Sequence, residues 1–188
     1  QLFPCVEHMP DIKTTKPSGV NPLFLREEEL RQGIELLFYA YRDFTAGPDA
    51  ILAEIGLGRA HHRAIYFIGR NPDITVSELL TILCITKQSL SRVLGQLVRE
   101  GYVSQRTDEV DRRKRLLRLT EQGDALERRL TADQRARMAR AYREAGAEAV
   151  DGFRSVLLGM IDDSAGVSAS LEDDTDPPDG LPARSRRA

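Results

Sequence analysis

The sequence predicts a mainly α-helical fold carrying one small β hairpin, and three observations predict it. Apolar residues recur at steps of three and four through the middle of the 188-residue chain, the period of a helix with one buried face. Capping and stopping residues cut that pattern into separate helices. One stretch, residues 102–119, breaks it with two apolar runs on either side of the charged string DEVDRRK, the pattern of two short strands around a polar tip. The length suits about one domain at roughly 100–200 residues each. Hydrophobic residues at 41% and charged residues at 30% are ordinary for a globular chain.

Residues 1–25 hold Pro4, Pro10, Pro17, Pro22 and Gly19 without sustained periodicity, so they read as an irregular N-terminal arm in which Met9 is a candidate start. Over 27–44 the residues Leu30, Ile34, Leu37, Tyr41 and Phe44 form one apolar stripe, and Gly47-Pro48 is expected to end that helix. A second helix, about 57–69, carries Leu57, Ala60, Ala64, Ile65 and Ile68 and closes at Asn71-Pro72. Thr75 and Glu78 then make a T-x-x-E capping box for a short helix over about 76–83. After a brief turn Thr86 caps a further helix with Leu90, Val93, Leu94, Leu97 and Val98 on one side, and Gly101 stops it. Tyr102-Val103 and Arg115–Leu119 are the hairpin arms. Thr120 caps a long helix over about 121–143, followed by a last striped helix with Val150, Phe153, Val156, Leu157, Met160 and Ile161. Residues 162–188 are rich in Ser, Asp, Pro and Gly and too poor in large apolar groups to offset their ordering entropy, so they read as a disordered acidic tail.

Composition excludes several classes. No uncharged run approaches the roughly 18 residues of a membrane-spanning helix, and the first ten residues lack a basic stretch followed by an apolar one, so a cytoplasmic location is expected. Two cysteines, Cys5 and Cys84, build no disulfide framework. The net charge of −2 is a cancellation: residues 86–120 hold nine basic groups against four acids, whereas residues 162–188 hold seven acids against three arginines. One basic segment in a slightly acidic chain suggests a surface that faces a polyanion. On charge alone a solvated helix face explains it equally well.

The order of elements adds to that suggestion. Two short helices about three residues apart, followed by a charged hairpin, spell a winged helix-turn-helix, in which the second helix enters the major groove of B-DNA. Opposite its leucines that second helix offers Thr86, Lys87, Gln88, Ser89, Ser91, Arg92, Gln96 and Arg99. Gln88 suits adenine and Arg92 suits guanine, each through two hydrogen bonds, while the short hydroxyl residues suit phosphate contacts. At the hairpin Arg112, Arg113, Lys114 and Arg115 reach the minor groove or flanking phosphates. Asp111, two residues before Arg113, is placed to aim its guanidinium through an ion pair.

From Leu79 to Gly123 the sequence resembles the MarR family of transcriptional regulators. The motif D-x-R-x-x-x-L-x-L-T-x-x-G is present as Asp111, Arg113, Leu117, Leu119, Thr120 and Gly123, after a recognition-helix ending of Leu97, Glu100, Gly101 and Val103. The helix order extends the likeness over residues 27–161, and the stretch AHHRAIYFIGRNP is similar to a PetP-type subgroup. The resemblance implies a homodimer that binds double-stranded DNA through the wing and recognition helix, often released by a small molecule. The expected domain is then 26–161, with a DNA-binding core at about 75–120 and dimerisation helices at about 27–44 and 121–161. The stripes Leu30, Ile34, Leu37 and Tyr41, and Phe153, Val156, Leu157 and Met160, are the expected dimer contacts on a roughly palindromic operator.

The expected effector is a small apolar or aromatic molecule near His61, His62 and Tyr66, polar handles on an otherwise apolar helix that leads through Asn71–Ile74 into the helix-turn-helix. The plainer reading makes these core residues in a regulator controlled by its abundance. No metal or cofactor is expected: His61 and His62 are adjacent and point about 100° apart on a helix. Cys84, between Leu83 and Ile85, reads as a buried, inert thiol. Gly56-Leu57-Gly58 lacks the strand and third glycine of a nucleotide loop. Two alternatives stand beside the DNA-binding reading: a winged-helix protein-interaction module, separable by salt-sensitive duplex binding, and an enzyme, which needs converging titratable groups that the sequence does not display.

Overall fold

The structure, a computed structural model, describes residues 23–162. Most of the expected N-terminal arm, the acidic tail beyond Asp162, Cys5 and Met9 lie outside those residues. The chain divides into two units between Tyr41 and Arg42. In the first, a 3-10 turn, Leu23–Leu25, leads into helix α1, Glu27–Glu54. Its first turn carries Glu27, Glu28 and Glu29 at the positive end of the helix dipole, and Arg31 pairs with Glu27 at 2.9 Å one turn on. Leu30, Ile34, Leu37 and Tyr41 are all exposed.

In the second unit the expected stop at Gly47-Pro48 does not occur, because α1 continues through it to Glu54. Proline has no N–H to give the carbonyl four residues earlier. That carbonyl, on Phe44, instead accepts from Gln134 Nε2 at 3.2 Å. Pro48 is itself buried, and Gly47 lies where a Cβ would come within 3.1 Å of Asp133 Oδ2. The pair serves the close approach of a later helix.

Helix α2 spans Arg59–Arg70, strand β1 Ile74–Thr75, helix α3 Val76–Leu83 and helix α4 Lys87–Arg99. Strands β2, Val103–Thr107, and β3, Arg115–Leu119, precede helices α5, Glu121–Ala145, and α6, Ala147–Gly159. Met160 caps α6, so the last stripe ends just outside its helix. The hairpin falls where expected, but it belongs to a three-stranded antiparallel sheet in the order β1-β3-β2. Strand β1 is two residues long and carries no periodicity of its own. It pairs Ile74 with Leu117 and Thr75 with Leu116, which joins the start of the helix-turn-helix to the wing.

The core gathers Leu52, Ile65, Ile68, Leu79, Leu90, Leu97, Leu117 and Leu130, each almost fully buried. Burying such a side chain contributes about 1.5–3 kcal/mol. Helix α4 supplies four buried residues, Leu90, Val93, Leu94 and Leu97, and keeps Lys87, Gln88, Ser89, Ser91 and Arg92 exposed.

Candidate nucleic-acid interface

The interface begins with two capped helix starts. Thr75 Oγ1 accepts the N–H of Glu78 at 3.2 Å, and Glu78 Oε2 takes the Thr75 N–H at 2.8 Å and its hydroxyl at 2.7 Å. The Thr75 N–H is the main reason the Glu78 carboxyl sits below its usual pKa. Helix α3 ends at Cys84, whose φ of 47° places a non-glycine residue in the left-handed region, and this reverses the chain in very little length. Thr86 then starts α4, its Oγ1 accepting the Ser89 N–H at 3.2 Å and donating to Ser89 Oγ at 2.9 Å.

A cleft of about 870 Å³ opens between α3, α4 and the wing. Of the expected contact residues, Lys87, Ser91 and Arg99 line it from α4, and Arg113, Lys114 and Arg115 line it from the wing. Thr75 and Ser77 at the start of α3 and Gln105 complete its polar lining. Gln105 carries a signal that strand spacing makes readable: it stands two residues after buried Val103 and pairs with buried Leu117, so it shares their face of the sheet, yet it is polar and exposed. Gln88 and Arg92 are exposed on α4, and Arg92 makes no salt bridge among the described residues.

At the wing tip Asp108 Oδ1 accepts from Val110 N–H at 2.8 Å, and Lys114 N–H donates to Asp111 O at 2.8 Å, closing the turn. Asp111 Oδ1 accepts from Arg113 N–H at 3.1 Å and from its Nε at 3.2 Å. The expected aiming pair is therefore present, with the Arg113 side chain 93% exposed. Arg112 is exposed beside it, and Arg115 donates to the Thr107 hydroxyl.

The wing base is held differently. Asp73, at φ 68°, accepts from Arg118 on β3 and from Arg106 Nε on β2 at 3.3 Å. These two guanidinium groups, Arg118 first, hold the Asp73 carboxyl below the usual carboxylate range. Asp73 N–H donates to Leu117 O at 3.0 Å. Behind the sheet the T-x-x-G of the motif has a steric purpose. Thr120 Oγ1 accepts the Gly123 N–H at 3.1 Å and donates to Gly101 O at 2.6 Å. A Cβ on Gly123 would lie 2.0 Å from Tyr102 O, so only glycine fits.

Several expected site residues lie elsewhere. Gln96 does not join the exposed set on α4: it is half-buried, and its amide is engaged by His61, Gly56 and Glu100. His61 correspondingly faces α4. His62 is half-buried, and burial lowers its pKa. Tyr66 is exposed and meets Phe67 edge-on. None of the three lines the cleft described above. Cys84, expected buried, is exposed: it is the left-handed residue just past the end of α3, and its Sγ donates to Thr81 O at 3.3 Å. Among the described residues no cluster of three or more His, Cys, Asp or Glu is disposed to hold a metal, and no helix is long and apolar enough to cross a membrane.

Comparison with known proteins places this geometry. The model of the MarR family matches residues 55–114. The HTH-type transcriptional regulator PetP of Rhodobacter capsulatus is 54% identical over 149 residues, which cover 79% of this chain and 90% of that protein. Among solved structures, Streptococcus pneumoniae FabT in complex with DNA is similar at a TM-score of 0.61 and 22% identity, over 77% of this chain and 98% of that one. A cysteine-to-serine mutant of MarR from E. coli, complexed with operator DNA, is similar at 0.54 and 20% identity, over 76% and 100%. At these identities the two structures show a shared fold.

Proposed function

The chain belongs to the MarR family, and from that premise we propose that it is a transcriptional regulator that recognises a specific double-stranded operator as a homodimer and acts as a ligand-responsive repressor. The observation that carries the reading is the convergence of Lys87 and Ser91 of the recognition helix α4 with Arg113, Lys114 and Arg115 of the wing around one cleft. Cations spaced to meet phosphates position a duplex, and the exposed Gln88 and Arg92 read it. A full-length chain allowed to select duplexes from a randomised pool should enrich one sequence, with affinity that falls steeply as salt rises. Arg92→Ala should then cost about 1–3 kcal/mol on the selected site and relax preference at one base pair. Equal weakening on random duplex would remove Arg92 from base reading.

The homodimer is supported by apolar residues exposed among the described ones: Leu30, Ile34 and Leu37 on α1, and Phe153, Val156 and Met160 at the C-terminal end, with Leu157 half-buried beside them. A folded monomer in sedimentation at micromolar concentration would count against it. Control by a small apolar or aromatic molecule is supported by exposed Tyr66 and half-buried His62 on α2, which runs through Asn71 into the helix-turn-helix. Compounds that bind there and leave DNA affinity unchanged would exclude it, since a ligand acts only through differential affinity for the two states.

A further inference from the structure

Gln88, Arg92 and Gln96 follow one another along α4 at steps of four, the spacing of a single ridge on a helix. The first two are exposed and the third is half-buried. Gln96 Oε1 accepts from His61 Nε2 at 3.0 Å, and Gln96 Nε2 donates to Gly56 O at 3.3 Å and to Glu100 Oε1 at 2.9 Å. The direction of each bond is forced. His61 Nδ1 accepts the Gly58 N–H at 3.1 Å, so a neutral ring carries its proton on Nε2, and the amide of Gln96 must turn its oxygen toward it. His61 thereby supplies the returning half of a capping box at the start of α2. Its second nitrogen ties that helix start to the recognition helix.

Apolar burial fixes the roll of an amphipathic helix about its own axis only coarsely, because the hydrophobic effect has no direction. Hydrogen bonds fix it closely, through their narrow range of distance and angle. A roll of about 20° swings a side-chain tip about 6 Å from the axis through about 2 Å, enough to break a two-bond contact with a base. A directional tie at one end of the ridge therefore sets where its other members point.

We propose that His61 and Gln96 are positioning residues that hold α4 at the roll angle at which Gln88 and Arg92 meet base edges, an inference that rests on the DNA-binding reading above. The test uses the full-length chain, the duplex it selects from a randomised pool, and a scrambled duplex at the same salt. His61→Asn keeps an acceptor for Gly58 N–H, its Oδ1 standing at the level of the ring Nδ1, but is too short to keep the contact that Nε2 makes with Gln96. It should weaken binding to the selected duplex by about tenfold and leave the scrambled duplex unchanged. Gln96→Leu should do the same, and the double variant should be no worse than the weaker-binding single one. Gln96→Leu puts leucine at a half-buried polar site, so His61→Asn decides the matter if the leucine variant folds poorly. Equal losses on both duplexes, no loss on the selected one, or additive losses in the double variant would overturn the proposal. If the wild-type chain selects no sequence at all, the DNA-binding reading fails first and takes this proposal with it.

Discussion

The wing carries arginines at its base and at its tip, and the two sets are prepared for different partners. At the base Arg106 and Arg118 converge on one carboxylate, Asp73, which comes from the turn after α2. At the tip Arg113 is aimed by Asp111 within its own turn, Arg112 is exposed, and Arg115 leans on the neutral hydroxyl of Thr107. The same residue type thus acts as a strut in one place and as an exposed charge in the other. What separates them is where the nearest acid comes from: a distant element that must be fastened, or the neighbouring residue. Charge available to a nucleic acid is therefore smaller than the charge counted along residues 86–120.

The largest expected effect breaks the base without touching the tip. Gly123→Ala places a Cβ 2.0 Å from Tyr102 O and 3.3 Å from Leu119 Cβ. The first obstacle is backbone, so the start of α5 must move away from the turn that leads into β2. A cost of about 3 kcal/mol is expected, which lowers Tm by about 10 °C for a domain of this size. DNA affinity should fall with it although every tip residue is intact. Differential scanning calorimetry checks the first statement. An unchanged Tm would mean that the sheet does not need that contact.

The middle effect contrasts one arginine from each set. Arg113→Ala should weaken all duplexes similarly and flatten the dependence of log affinity on log salt by about one unit, as loss of one phosphate contact requires. Arg118→Ala should leave that slope unaltered, because its guanidinium is held at the wing base by Asp73 and does not line the cleft. Titrations at four or five salt concentrations decide this. Equal flattening by both variants would erase the distinction between base and tip.

Much of this arrangement was readable from local pattern. The helix stripes, the Thr75–Glu78 capping box, Thr86 as a cap and the Asp111–Arg113 pair all involve residues within four positions of each other, where spacing alone fixes who meets whom. What was not readable depends on partners far along the chain. Asp73 lies 33 residues from Arg106 and 45 from Arg118, and it falls outside the segment whose charges look basic. Gln96 is a base reader by its position on α4 and a strut by virtue of His61, 35 residues earlier. Pro48 stops a helix unless another element takes the carbonyl it orphans, and Gln134 does so from 90 residues away. The two-residue strand β1 is invisible in sequence because its only evidence is the partner strand.

The smallest expected effect tests whether the Asp73 clamp is electrostatic. Asparagine also tolerates a positive φ, so Asp73→Asn keeps the turn at φ 68° and still accepts hydrogen bonds, but it removes the charge that Arg118 and Arg106 share. Exposed pairs contribute little, and a Tm drop of about 1–3 °C at neutral pH is expected. The sign of its pH dependence follows from the direction of the shift. The folded-state pKa of Asp73 is lowered, chiefly by Arg118, so the clamp is at full strength above the unfolded value of about 3.9 and is lost as pH falls through the lower folded value. The Tm difference between wild type and Asp73→Asn should hold steady from neutral pH down to about 5 and close below about 4. A difference that persists in strong acid would show that Asp73 works through the shape of its turn, and the base would then be fastened by geometry with charge as a bystander.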